Sequence, residues 1–202
     1  MEHVEICMKR LLVVLLLLAP SCLAQKQNSN PNIQDGNVEI TPWVGGGTGV
    51  GASSDFKFIE SGVRVGKIIT SEIGKGRFRW RFEYAGDIMP VYLVELRQGG
   101  WVYGGGFNPV VLKFVFTANK KITPFVEANG GVLFSTQQVP QPNTSQVNFM
   151  SGVQGGFHYF IKEKRAITFS TQVIHISNAS LGNHNPGINA SVHFRLGYTI
   201  FK

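Results

Sequence analysis

A two-residue alternation runs through most of this chain and limits its fold more than any other feature. Apolar and polar side chains take turns through eight stretches, at 38–47, 57–69, 77–86, 106–117, 122–134, 147–160, 166–177 and 188–201. A period of two belongs to β-strands, whose successive side chains point to opposite faces. In RFRWRFEY, Phe78, Trp80, Phe82 and Tyr84 share one face, and Arg77, Arg79, Arg81 and Glu83 share the other. Val192, Phe194, Leu196, Tyr198 and Ile200 oppose His193, Arg195, Gly197 and Thr199 in the same way. Ile167, Phe169 and Val173 oppose Thr168, Ser170 and Gln172. Helical periodicity is hard to find anywhere.

Alternation does not say whether the apolar face looks inward, as in a soluble sandwich, or outward into lipid. The connections discriminate. The second, fourth and sixth are short and charged, TSEIGKG, ANKK and KEKR. The first, third, fifth and seventh are longer: TGVGASSDF, the stretch from Asp87 to Gly105, STQQVPQPNTSQ and NASLGNHNPG. Short periplasmic turns and longer outer loops mark outer-membrane barrels, and a tilted strand crosses a bilayer in about 9–11 residues. The aromatic-rich end FRLGYTIFK suits such a barrel, although Phe201 is one residue out of phase with the apolar row. Glycine clusters such as VGGGTGVG and YGGGF suit strands that curve into a small closed wall. The expected fold is all-β, an eight-stranded antiparallel transmembrane β-barrel of the outer-membrane type. Asn143 and Asn183 fall in long connections and are expected at the outer surface.

Residues 1–24 read as an export signal: Lys9 and Arg10, an apolar run from Leu11 to Leu18, then small residues up to Ala24. The run is too short to span a bilayer as a helix. Ala19-Pro20-Ser21 before Cys22 makes a poor lipobox, which favours cleavage after Ala24. Residues 25–37 are polar and read as a flexible lead-in, and 38–202 as one barrel domain. Cys7 and Cys22 both lie in the leader, so the exported chain must hold together without disulfides. The net charge of +7 is unchanged by removing the leader, which carries two basic and two acidic residues. An exported basic chain fits an anionic surface such as lipopolysaccharide better than nucleic acid.

One stretch carries chemistry. In VIHISNASLGNHNPGIN, His175 and Ser177 share the phase of Ile167, Phe169 and Val173. They therefore stand at the outer end of the seventh strand, on its lipid-facing side. A histidine beside a serine can act as general base for a nucleophilic hydroxyl, given a third group to orient the imidazole. The bland alternative is a pair of polar residues where a strand emerges from lipid.

HISNASLGNHNPGIN resembles the active-site strand and loop of the PagL-type lipid A 3-O-deacylases, a family of eight-stranded outer-membrane barrels. The resemblance implies His175 as base, Ser177 as nucleophile, and Asn178, Asn185, Gly187 or nearby N–H groups at the oxyanion. It implies a substrate, lipid A or lipopolysaccharide of the outer leaflet; chemistry of this kind needs no metal or organic cofactor. The specific motif covers about fifteen residues, whereas the barrel layout covers the whole mature chain. One position departs: Asn189 stands twelve residues after the serine, where the family has Glu. An amide can accept the imidazole N–H but cannot offset its charge, a change that costs about 10⁴ in the serine-protease triad. Outer membrane phospholipase A also pairs His-x-Ser with an Asn twelve residues on, so a Ser-His-Asn set is chemically credible. Strict alternation back from Val192 sends Asn189 to the lumen. A bulge at the start of the eighth strand is needed to turn it toward His175.

Other motifs carry less. GTGVGA at 47–52 fits a dinucleotide pattern, but no βαβ unit follows. Asn143, Asn178 and Asn189 begin N-x-S/T sequons without meaning in a bacterial outer membrane. His158 and His193 read as lumen residues and His184 as a loop residue, none with ligand spacing. Arg77, Arg79, Arg81, Glu83, Glu60 and Glu127 read as a solvated or paired lumen network. The expected activity is hydrolysis of an ester-linked acyl chain on lipid A. Its rivals are a non-enzymatic small barrel and a phospholipase.

Overall fold

The computed structural model describes residues 29–96, 99–141, 144–181, 184–185 and 187–202. The leader, residues 25–28, Asn143 and Asn183 lie outside the described residues. Eight strands close into one antiparallel barrel, each bonded to its sequence neighbours and β1 bonded to β8. They are β1 (Val38–Gly49), β2 (Lys57–Ile68), β3 (Trp80–Glu95), β4 (Trp101–Phe116), β5 (Ile122–Ser135), β6 (Val147–Lys162), β7 (Arg165–Ser177) and β8 (Ile188–Phe201).

Closure explains the alternation. Ile167, Phe169, Val173, Phe194 and Leu196 are exposed on the outer wall, while Thr168, Ser170, Gln172, His193 and Arg195 are buried inside. Such a chain turns its apolar side chains out and its charges in. That arrangement is stable only where lipid is the solvent. Among the described residues no helix is long and apolar enough to cross a membrane; the strands do so.

Two expectations about strand limits are corrected. Residues 77–79 do not open β3: Gly76–Phe78 form a 3₁₀ turn, which leaves Phe78 exposed. The long third connection, Asp87 to Gly105, is mostly strand, because β3 runs on to Glu95 and β4 begins at Trp101. The alternation there is broken by a register shift between Met89 and Tyr92, and just beyond it by another between Phe107 and Val110. Each shift contains a proline, Pro90 or Pro109, whose missing N–H cannot join the ladder.

Residues 29–37 pack instead of trailing. Asn30 and Asn32 donate side-chain N–H bonds to the carbonyls of Asn119 and Lys120 at 3.1 and 2.9 Å. Ile33 joins Ile68, Val115, Phe125, Phe160, Ala166 and Phe201 in an apolar floor at the inner end. Phe201 is out of phase because it turns inward to this floor, against Phe160 at 5.9 Å between ring centroids. A second apolar cluster, including Trp43, Phe56, Phe58, Tyr92, Ile174, Ile176 and Ile188, fills the outer end.

Between the two lies a charged layer. Arg64 makes paired bonds to Asp87 (2.8 and 3.0 Å) and Glu127 (2.6 and 2.7 Å). Lys113 bridges Glu39 and Glu83. Of the six residues expected in this network, Glu60, Glu83 and Glu127 belong to it. Arg81 bonds the Thr70 carbonyl at 3.1 Å, Arg79 pairs with Glu72 at 3.4 Å, and Arg77 sits in the exposed 3₁₀ turn.

Candidate active site

His175 and Ser177 lie at the outer end of β7 and point to the outer wall, because their phase is that of exposed Phe169 and Val173. His175 is exposed and Ser177 half-buried. Across the ladder on β6, Ser151 stands opposite His175 and Phe149 opposite Ser177. Ser151 is a polar neighbour that pattern reading passed over. Its signal was an outward-phase serine between outward-facing Phe149 and Val153.

The bulge that the sequence demands is present. On the β7–β8 seam, Ile174 pairs with Ser191 and Ile176 with Ile188. One step of two residues on β7 is therefore matched by three on β8, and Asn189 and Ala190 together oppose His175. Ile188 and Ser191 are buried, whereas Asn189 is exposed on the same side as the imidazole. A bulge of this kind re-aims one residue without disturbing the strand beyond it.

His175 Nδ1 lies 3.1 Å from the main-chain oxygen of Asn189. A carbonyl oxygen only accepts, so Nδ1 carries the hydrogen and Nε2 is left with its lone pair in the neutral ring. This contact comes from the backbone of Asn189, not its amide. The amide is nearby: a Cβ built on Gly187 would lie 3.7 Å from Asn189 Oδ1 and 3.8 Å from His175 Cε1. Gly187 also has φ +61°, and the same Cβ would meet the Ile176 carbonyl oxygen at 3.0 Å, so the position suits glycine for both conformation and space.

The loop after Ser177 is folded around Asn178, which is buried. Its main-chain N–H donates to Asn185 Oδ1 at 3.1 Å, and its Nδ2 donates to the His184 carbonyl at 3.0 Å. Its Oδ1 accepts from the Ser180 N–H at 3.0 Å. Ala179 and Ser180 take positive φ values of 49° and 64° to make this turn. Asn178 and Asn185 thus shape the loop, with the Asn178 side chain and Asn185 Oδ1 engaged inside it. Pro186 lies outside the described residues. Among the described residues no hydrogen bond joins Ser177 Oγ to His175. Alternate residues of a strand sit roughly 7 Å apart along its axis, and such bonds commonly tighten only around a substrate. Among the described residues no cluster of His, Cys, Asp and Glu is arranged to hold a metal.

A serine, an imidazole with a fixed tautomer and a tightly turned loop, all on the wall facing lipid, form a set suited to acyl transfer from an amphiphile. The family described as lipid A 3-O-deacylase (PagL) matches residues 62–199. Among solved structures, the chain is similar to the outer membrane enzyme PagL, with 21% identity and a TM-score of 0.51, covering 80% of this chain and 98% of that one. It is also similar to the N-terminal β-barrel domain of Pseudomonas aeruginosa OprF, with 13% identity and a TM-score of 0.51, covering 83% and 100%. At these identities both likenesses speak to the fold alone. No curated protein sequence matches the chain.

Proposed function

The chain belongs to the lipid A 3-O-deacylase (PagL) family, and from that premise we propose that His175 and Ser177 carry a lipid A deacylation at the outer leaflet. Membership makes the chain a lipid A 3-O-deacylase-like hydrolase of the bacterial outer membrane. The roles of its residues are the proposal. Ser177 Oγ attacks the carbonyl carbon of an ester-linked acyl chain as His175 Nε2 takes its proton. The tetrahedral intermediate collapses, the sugar oxygen leaves with the proton from His175, and the acyl chain remains on Ser177. Water, deprotonated by the same nitrogen, then releases the fatty acid. N–H groups of the loop shaped by Asn178, Asn185 and Gly187 hold the negative oxygen. Asn189 orients His175. The scheme uses no metal and no organic cofactor.

One observation supports this reading above the others: the β8 bulge brings Asn189 to the side of His175 and fixes the imidazole through a main-chain oxygen. A merely interfacial histidine has no need of that arrangement. The test is mass spectrometry of lipid A incubated with refolded protein, alongside Ser177→Ala and His175→Ala. Loss of one ester-linked acyl chain with wild type, and none with either variant, is expected. Ser177→Ala as active as wild type sinks the proposal. Release from phospholipid but not lipid A makes the enzyme a phospholipase.

A further inference from the structure

Behind the surface pair, on the lumen side of the same seam, lies a second row of serine, histidine and acid. His193 Nε2 is 2.9 Å from Ser191 Oγ, and His193 Nδ1 is 3.3 Å from Glu60 Oε1. Arg195 clamps Glu60 with Nε and Nη2 at 2.9 and 3.0 Å. Ser191 Oγ also reaches the carbonyl oxygen of Ile174 at 3.3 Å. The wall is built to admit this row. A Cβ on Gly47 would come within 2.7 Å of His193 Cγ, and one on Gly45 within 2.9 Å of Arg195 Cγ, so the glycine run of β1 leaves the space that they occupy. Ser191 and His193 are fully buried, so a lipid ester has no access to the serine. The row holds its place without reacting.

Its position gives it a use. Ile174 and Ser191 are the last regular pair before the bulge. A bulge interrupts the ladder, so its shape depends on the ties that flank it. One tie is the Val50 N–H, which donates to the Ala190 carbonyl at 2.9 Å. The other is the Ser191 side chain on Ile174. We propose that the Arg195–Glu60–His193–Ser191 row is a positioning device for the surface site. It anchors the bulge from the lumen and thereby keeps the Asn189 oxygen in place against His175 Nδ1. This rests on the reading of His175 and Ser177 as the reacting pair.

The test compares wild type, Ser191→Ala, Ser191→Thr and Ser177→Ala, each refolded in detergent and checked for the heat-modifiable gel shift of a folded barrel. Two quantities are read: kcat and KM on lipid A, and the ¹⁵N signals of the His175 imidazole. Ser191→Ala is expected to lower kcat roughly ten- to a hundred-fold with KM unchanged, the scale of a misplaced catalytic group. Its His175 nitrogens should shift toward the averaged pattern of an unanchored ring. Ser191→Thr, which keeps the hydroxyl, should restore both. If Ser191→Ala does not refold, Ser191→Cys, similar in size and a weak hydrogen-bonding partner, carries the same comparison. A folded Ser191→Ala or Ser191→Cys variant with wild-type kcat and wild-type His175 signals overturns the device. Wild-type activity in Ser177→Ala would instead overturn the reading of the surface pair, and the nitrogen signals would still judge the device.

Discussion

His175 Nδ1 hydrogen-bonds the main-chain oxygen of Asn189 at 3.1 Å, across a seam where two residues of β8 face one of β7. A main-chain acceptor survives replacement of the side chain that follows it. Asn189→Ala is therefore expected to slow lipid A deacylation by less than about ten-fold, or 1.4 kcal/mol. Asn189→Glu should keep or raise the rate, since a carboxylate beside the ring stabilises the imidazolium. Initial rates of the three proteins decide this. A dead Asn189→Ala variant with an intact barrel would make the amide the essential orienting group.

The bulge itself is open to a sharper test. Deleting Ala190 restores a two-for-two match between β7 and β8. Asn189, now between inward Ile188 and Ser191, still faces outward, but without the bulge its main-chain oxygen returns to the plane of the ladder, away from the imidazole. Ser177, His175 and Asn189 all remain in the chain. Activity should nevertheless fall roughly a hundred-fold, while the folded gel band persists. Retained activity would mean that the bulge and its main-chain contact to His175 Nδ1 are unnecessary.

Phe169 faces lipid between Phe157 and Phe194, at centroid distances of 5.9 and 6.4 Å. Phe169→Arg should reduce assembly into vesicles by roughly 2–4 kcal/mol, the cost of a basic residue near the midplane. Phe169→Leu should be mild. Thr168, one residue away, faces inward with Oγ1 2.7 Å from His158 Nδ1. Arg at that position should also disrupt folding, because it must enter a filled interior. Equal tolerance of Phe169→Arg and Phe169→Leu would contradict the assigned face.

Arg64 is buried between Asp87 and Glu127. Arg64→Leu leaves two carboxylates facing an empty place, and removal of one partner from a buried ion pair costs about 3–5 kcal/mol. A matching drop in urea resistance of the folded band is expected. Replacing Asp87 and Glu127 with Leu in the same chain should recover most of it. No change with Arg64→Leu alone would mean that water fills the charged layer.

The wall of this barrel is legible in the sequence because a period of two survives wherever one side meets lipid and the other meets charge. Phe169 beside Thr168 and Leu196 beside Arg195 need no structure to be placed. The reading fails where backbone geometry overrides the period. Pro90 breaks the alternation in β3, and Gly104 and Gly105 carry no side chains to alternate, so the outer ends of β3 and β4 look like a loop. Phe201 looks out of phase because nothing in its neighbours announces the floor that Ile33 completes. The site divides in the same way. His175 and Ser177 follow from phase, and the need for a bulge follows from Asn189 being out of phase. That the acceptor is a main-chain oxygen, or that Gly45 and Gly47 open the wall for Arg195 and His193, leaves no mark in a residue pattern. Every residue has a carbonyl, and a glycine does not name the side chain it admits.

A barrel stopped by an apolar floor, a charged layer and an apolar outer cluster is a post rather than a pipe, and His175 and Ser177 stand on its outside. Whatever meets His175 and Ser177 arrives sideways, by diffusion within one leaflet. Its supply is then counted in molecules per area of membrane. Diluting the surrounding buffer leaves the encounter rate unchanged, whereas spreading the same lipid substrate among inert lipids slows it in proportion.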